Sequence, residues 1–301
     1  TGAATVTSSH TPSSTLGTDH HPRDAAAMTY VYPVISRRSG GVSIGINLNP
    51  NAACNWRCLY CQVPNLTRGA GPQLDLNLLR EELQRLLEDV LRGGFLERRV
   101  APEQRVLKDV AFSGDGEPTT SPQFREALEC VAALLQKEGL LQTGAQLPGN
   151  APAPLPSILR EPLRLILISN GSQLDKPYVQ QSVARLGELG GELWFKLDRG
   201  TPAGLALVNS VPTDPQRHAH RLVTAAGLCP TWVQTCMFAL DGQPPAEAEL
   251  EAYLALLKSV LGQGAKLRGV LLYGIARASR QPEAPRLSAL PLSWLQALAH
   301  R

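Results

Sequence analysis

Six runs of apolar, β-prone residues recur along the chain, each followed by a polar or glycine-bearing turn and then by a longer amphipathic stretch. The runs are Val42–Asn47, Val106–Phe112, Leu163–Ser169, Glu192–Leu197, Thr231–Phe238 and Leu267–Tyr273. Between and after them, helices are predicted over Leu74–Leu91, Pro122–Lys137, Pro177–Leu189, about 214–226, Ala246–Leu261 and Leu292–Ala299. Leu74–Leu91 carries leucines at helical spacing with Glu and Arg on the other face, and Ser121 reads as an N-cap before a proline at the first position. Strands joined by helices point one way, so the order predicts a parallel sheet with right-handed crossovers. In 301 residues the count fits an α/β fold of six units, a partial (β/α)6 TIM-like barrel. A complete eight-unit barrel needs about 250 residues without tails. In such barrels chemistry sits at the C-terminal ends of the strands, where the polar and glycine-containing segments of this chain fall.

No linker divides the chain into two cores, so residues 29–301 read as one domain. Residues 1–28 are rich in Ser, Thr and Ala and read as a flexible tail, in which His20 and His21 are solvated. They lack a basic segment followed by an apolar one, so no signal peptide is expected and the expected compartment is the cytoplasm. Prolines at 148, 152, 154, 156 and 162 make the stretch from about 141 to 162 an inserted surface loop. With 43% hydrophobic and 18% charged residues the chain can build a packed core. It has no apolar run near the roughly 18 residues of a membrane-spanning helix, so no membrane partner is expected. The net charge of +3 is compatible with RNA but does not argue for it, because no dense Lys/Arg block is present.

Three of the six cysteines fall within eight residues, Cys54-Asn-Trp-Arg-Cys58-Leu-Tyr-Cys61, on a loop just after the first run. This is not the pattern of a small secreted disulfide scaffold and points to a metal site. Three thiolates on one short loop can hold a [4Fe–4S] cluster, leaving one iron for a ligand from outside the protein. Two other readings stay open. A structural zinc site wants four closed ligands and would recruit Cys130, Cys229 or Cys236 from distant elements; a redox dithiol of Cys58 and Cys61 leaves Cys54 unexplained.

The C-x3-C-x2-C spacing, with Tyr60 before the last cysteine, resembles the signature of radical S-adenosylmethionine enzymes. Tyr32-Pro-Val-Ile-Ser-Arg37-Arg38 and Ser43-Ile-Gly-Ile-Asn47 are similar to an iron–sulfur oxidoreductase group related to wybutosine-synthesis enzymes, and the likeness runs from about Tyr30 to Pro282. The wybutosine enzymes themselves carry cysteines upstream of the motif, and none precedes Cys54 here. The resemblance implies that Cys54, Cys58 and Cys61 hold the cluster and that S-adenosyl-L-methionine chelates its open iron. It implies that Gly114-Asp115-Gly116-Glu117 lies along the methionine amino group, with Asp where a glycine often stands. Ser169 and Asn170 would meet ribose and carboxylate, and Gly274 and Ile275 the adenine; each of these segments also reads as an ordinary strand-end turn. Lys196 and Asp198 alternate at a strand end and share one face, either into the barrel as weak catalytic candidates or as a solvated pair. Gln234 lies on the fifth run, and His218 and His220 are placed on the solvated side of their helix. Cys130 reads as a helix-face residue, and Cys229 and Cys236 as core or surface cysteines.

The implied activity is reductive cleavage of S-adenosylmethionine to methionine and a 5′-deoxyadenosyl radical, which abstracts hydrogen from an RNA base, a peptide or a small molecule. The electron would come from a flavodoxin or ferredoxin. Trp56 and Arg57 could shield the cluster or meet that donor. Arg37, Arg38, Arg57 and Arg68 could meet RNA phosphate or an anionic substrate. The alternatives are an activase of glycyl-radical enzymes and a non-catalytic iron–sulfur or zinc protein.

Overall fold

Seven strands lie side by side in chain order in one sheet: β1 Val31–Ser36, β2 Gly41–Ile46, β3 Leu107–Phe112, β4 Arg164–Ser169, β5 Glu192–Lys196, β6 Thr231–Cys236 and β7 Leu267–Tyr273. This computed structural model describes residues 15–17, 27–36, 40–141, 158–159 and 161–301. Most of the expected tail, including His20 and His21, most of the proline-rich stretch, and Arg37 and Arg38 lie outside the described residues. β2 to β7 run parallel, and β1 pairs antiparallel with β2, Val31 opposite Ile46. Among the described residues β1 and β7 do not pair with each other, so the sheet is an open, partial barrel.

The six expected runs are the six parallel strands, to within a residue or two at their ends. β1 is an addition. Its residues read as motif rather than strand, yet Val31, Tyr32, Val34 and Ile35 are all buried at this edge. The helices of eight residues or more are α1 Leu76–Leu91, α2 Phe124–Lys137, α3 Pro177–Glu188, α4 Pro202–Asn209, α5 Pro215–Leu228, α6 Glu247–Gly262 and α7 Leu292–Ala299, and a five-residue helix, Phe95–Arg99, follows α1. α2 starts later than its proline suggests, because Ser121 Oγ accepts from the Gln123 amide and a 3-10 turn precedes it. α4 has no counterpart among the predicted helices.

The helices cover the outer face of the sheet and form the main core with it. On α1, Leu79, Leu83, Leu86, Leu87 and Val90 face inward at helical spacing. Glu82 breaks the expected polar face of this helix. It is 3% exposed, and its carboxylate accepts the Thr29 and Tyr30 amides, each at 2.7 Å, which fixes the entry to β1. Inside the expected tail, Leu16 is buried in the same core and its amide donates to the Arg99 carbonyl at 2.8 Å.

The inner face carries a separate, smaller apolar cluster of Ala111, Ile166 and Trp194. A polar plug lies beside it towards the amino ends of the strands. Ser43 Oγ donates to Asp109, Arg164 lies 3.5 Å from Asp109 and 3.8 Å from Glu192, and Glu192 accepts the indole N–H groups of Trp194 (2.9 Å) and Trp232 (3.2 Å). The barrel cavity runs from Ser43 and Asp109 of this plug to the turns at the carboxyl ends of the strands.

Candidate active site

The loop that follows β2 is held by its neighbours on three sides. On the first, Asn47 caps the strand: its Oδ1 accepts the amides of Asn49 and Asp115, both at 3.0 Å, and its Nδ2 donates to the Asp115 carboxylate at 2.6 Å. On the second, α4 offers the carbonyls that a helix C-terminus leaves without partners. Val208 accepts the Leu59 amide at 2.8 Å and Asn209 the Arg57 amide at 3.2 Å. On the third, the segment after β7 closes over the loop. Ser279 Oγ donates to the Leu59 carbonyl at 2.6 Å, the Arg280 amide to the Cys61 carbonyl at 2.8 Å and Gln281 Nε2 to the Val63 carbonyl at 3.0 Å.

Held in this way, Cys54, Cys58 and Cys61 are half-buried and face one cavity of about 390 Å³ at the carboxyl ends of the strands. Burial pushes the Cys54 thiol up to about 12. Burial also raises Cys58, to about 11, against the opposing pull of Lys196 and a hydrogen bond from Asn209. Such thiols ionise when a metal binds them. Among the described residues no three His, Cys, Asp or Glu side chains gather tightly enough for a single ion. Around one zinc ion, thiolates at about 2.3 Å stand only about 3.8 Å apart. A polynuclear cluster is a larger body whose cysteines approach it from different sides. The other cysteines are buried: Cys130 on α2, Cys229 against the Gly191 carbonyl, and Cys236 in an apolar pocket with Leu59, Val208 and Phe238, from which it reaches the cavity wall.

Most of the predicted site residues line this same cavity: Tyr60, Gly114 to Glu117, Ser169, Asn170, Lys196, Gln234, Gly274 and Ile275. Asp198 is not among them. It is fully buried behind Lys196, where its carboxylate accepts the Tyr60 hydroxyl at 2.5 Å, Asn209 Nδ2 at 2.8 Å and the Cys236 amide at 2.9 Å. Lys196 donates to the same Tyr60 hydroxyl at 2.9 Å, so the two are linked through Tyr60 rather than paired in solvent. Burial alone would lower the Lys196 ammonium, but Tyr273 and, after it, Asp198 outweigh it and hold the group above its ordinary value.

The turn after β3 has two carboxylates with different surroundings. Glu117 is 2% exposed and accepts four donors: the Thr119 amide (3.1 Å) and hydroxyl (2.5 Å), the Ser169 hydroxyl (2.7 Å) and the Asn170 amide (2.6 Å). It is a strut between the turns after β3 and β4. Asp115, half-exposed, accepts from Asn47 and lines the cavity. The glycine at 116 is required by the cysteine loop. A Cβ there would stand 2.1 Å from the Ala53 carbonyl oxygen and 2.8 Å from the Asn49 amide.

His218 corrects its expected placement. It is fully buried between the rings of Trp56 and Phe195, at 5.4 and 4.7 Å, with Nε2 2.9 Å from the Lys196 carbonyl oxygen. Of these two histidines, only His220 is exposed. Arg57 and Arg68 also act locally. Arg57 binds Glu283 through two hydrogen bonds of 2.7 and 2.9 Å, and Arg68 donates to the carbonyls of Asn55 and Ser210.

Two buried amides go beyond the expected set in what they do. Gln234, 1% exposed, lies in register with Lys196, and its Nε2 has no hydrogen-bond partner among the described residues. Leaving a buried donor unmade costs about 1–3 kcal/mol. Asn209 was missed by sequence reasoning, because it closes the unpredicted α4. The signal was present in Thr201-Pro202, an N-cap with proline at the first helical position.

The fold and the site together define a class: an open parallel α/β barrel with a three-thiol loop over its carboxyl-end cavity. No protein-family model matches the chain, and no curated protein matches it. Among solved structures it is similar to an archaeal TYW1, at 14% identity and a TM-score of 0.37 over 72% of this chain and 61% of that one. It is also similar to anSMEcpe with bound AdoMet, at 16% identity and a TM-score of 0.44 over 77% of this chain and 51% of that one. A third is OxsB, a cobalamin-dependent S-adenosylmethionine radical enzyme, at 13% identity and a TM-score of 0.40 over 71% of this chain and 26% of that one. The chain thus spans about half to three-fifths of the length of the first two.

Proposed function

We propose that this chain is a radical S-adenosylmethionine enzyme whose [4Fe–4S] cluster is held by Cys54, Cys58 and Cys61. The observation that carries the reading is the convergence of these three thiols, spaced C-x3-C-x2-C, on one cavity at the carboxyl ends of a parallel sheet. When bound, the cluster and S-adenosylmethionine supply one-electron reductive cleavage and, from it, hydrogen abstraction from a substrate.

The remaining steps belong to the protein. Asp115 offers a carboxylate to an ammonium group at the mouth, while Glu117 keeps the two adjacent turns in place. Gly274 and Ile275 give an apolar strip on which a flat ring can rest. Lys196, held protonated, places a cation beside the thiol loop and is oriented by Tyr60. Trp56, 3% exposed, packs beneath the loop and excludes water from that side. Below the mouth, Trp194, Ile168 and Gln234 leave a chamber for a substrate. Ala111 and Ile166 add apolar wall to the same cavity, and Ser43, Asp109, Lys196 and Gln234 add polar groups.

Anaerobic reconstitution with iron and sulfide tests the binding half of this reading. The wild-type chain should take up about four irons and four sulfides. Cys54→Ala, Cys58→Ala and Cys61→Ala should each lose most of them, and Cys130→Ala should not. Uptake that survives all three loop variants contradicts the reading.

A further inference from the structure

We infer that Asn209 sets how readily the cluster held at Cys58 is reduced, by donating a side-chain N–H to the Cys58 sulfur. The inference rests on the iron–sulfur reading above.

The geometry fixes the donor. Asn209 is fully buried, and its Nδ2 lies 3.2 Å from Cys58 Sγ and 2.8 Å from Asp198 Oδ2. The Asp198 carboxylate can only accept, so the nitrogen must face it, and its second proton is left for the Cys58 sulfur, which only accepts once it is a metal-bound thiolate. The arrangement is held from both ends. Asp198 is locked by Tyr60 and by the Cys236 amide. The backbone of Asn209 is tied to the cysteine loop through the Arg57 amide. Its Oδ1 is buried and has no partner among the described residues.

The three sulfurs are not equivalent. Cys54 Sγ receives the Trp56 amide at a longer 3.4 Å, and among the described residues Cys61 Sγ receives no hydrogen bond. A donor to a ligating sulfur stabilises negative charge on it, and the one-electron-reduced cluster carries one more negative charge than the oxidised cluster. Reduction takes one electron from an outside donor of the flavodoxin or ferredoxin class and breaks no bond. Removing the N–H therefore lowers the reduction potential.

The test is a potentiometric titration, followed by electron paramagnetic resonance, of the reconstituted full chain. Asn209→Leu should make reduction less favourable by about tenfold, about 59 mV for one electron. Asn209→Ser, too short to reach the sulfur, should do the same and serves if the leucine variant folds poorly. Ser210→Ala is the control, because it removes the 2.9 Å hydrogen bond from Ser210 Oγ to the Arg57 carbonyl and leaves the amide in place. Its potential should match the wild type. An unchanged potential in both Asn209 variants, or an equal shift in Ser210→Ala, overturns the inference alone. A wild-type chain that takes up no cluster overturns the iron–sulfur reading and this inference with it.

Discussion

The carboxylate of Glu117 accepts the amide of Asn170 at 2.6 Å, tying together the turns that follow two neighbouring strands. Two of the segments proposed to meet S-adenosylmethionine are therefore one mechanical unit. Glu117→Ala should leave the Asn170 amide and the Ser169 hydroxyl without their acceptor and cost about 2–4 kcal/mol. Urea unfolding of the metal-free chain checks this.

Gly116→Ala should act on the cysteine loop rather than on a ligand. Its Cβ would overlap the Ala53 carbonyl, so the loop must shift, at about 1–3 kcal/mol. The expected result is iron uptake reduced several-fold with the circular dichroism spectrum preserved.

His218 gives a pH dependence. Burial lowers it from 6.5 to about 4. The unfolded chain then binds a proton between these values that the folded chain does not. Stability is complete above about pH 6.5 and falls as the pH drops towards 4, by about 3 kcal/mol in all from this group. Unfolding free energies at pH 7.5 and 4.5 should therefore differ less in His218→Leu than in the wild type.

Gln234→Leu should not destabilise the chain. The unpartnered buried donor disappears and the side-chain volume is nearly kept, so the unfolding free energy should stay level or rise by about 1 kcal/mol. Under the proposed function the same change should impair turnover, because the amide then faces the substrate. A loss of 2 kcal/mol or more in denaturant unfolding would show that Gln234 supports the fold instead.

The parallel sheet was legible because its strands are short, continuous apolar runs, as expected where both faces are covered. The cysteine loop was legible because its spacing is local. Asn209 was not, because α4 is only eight residues long and shows little periodicity. Its partner Cys58 is 151 positions away, beyond any local pattern. His218 was misplaced for a related reason. Gln-Arg-His-Ala-His-Arg reads as a solvated surface, but Trp56 and Phe195 form a ring pocket that only the tertiary fold brings together. Glu82 likewise looked like one of several exposed acids until the start of β1 supplied its two amide donors.

The central claim is tested most directly by 5′-deoxyadenosine formation. The reconstituted chain, with dithionite and S-adenosylmethionine under anaerobic conditions, should release 5′-deoxyadenosine and methionine, and Cys58→Ala should release neither. A chain that holds its cluster but forms no 5′-deoxyadenosine, or a Cys58→Ala variant that forms as much as the wild type, would contradict the account.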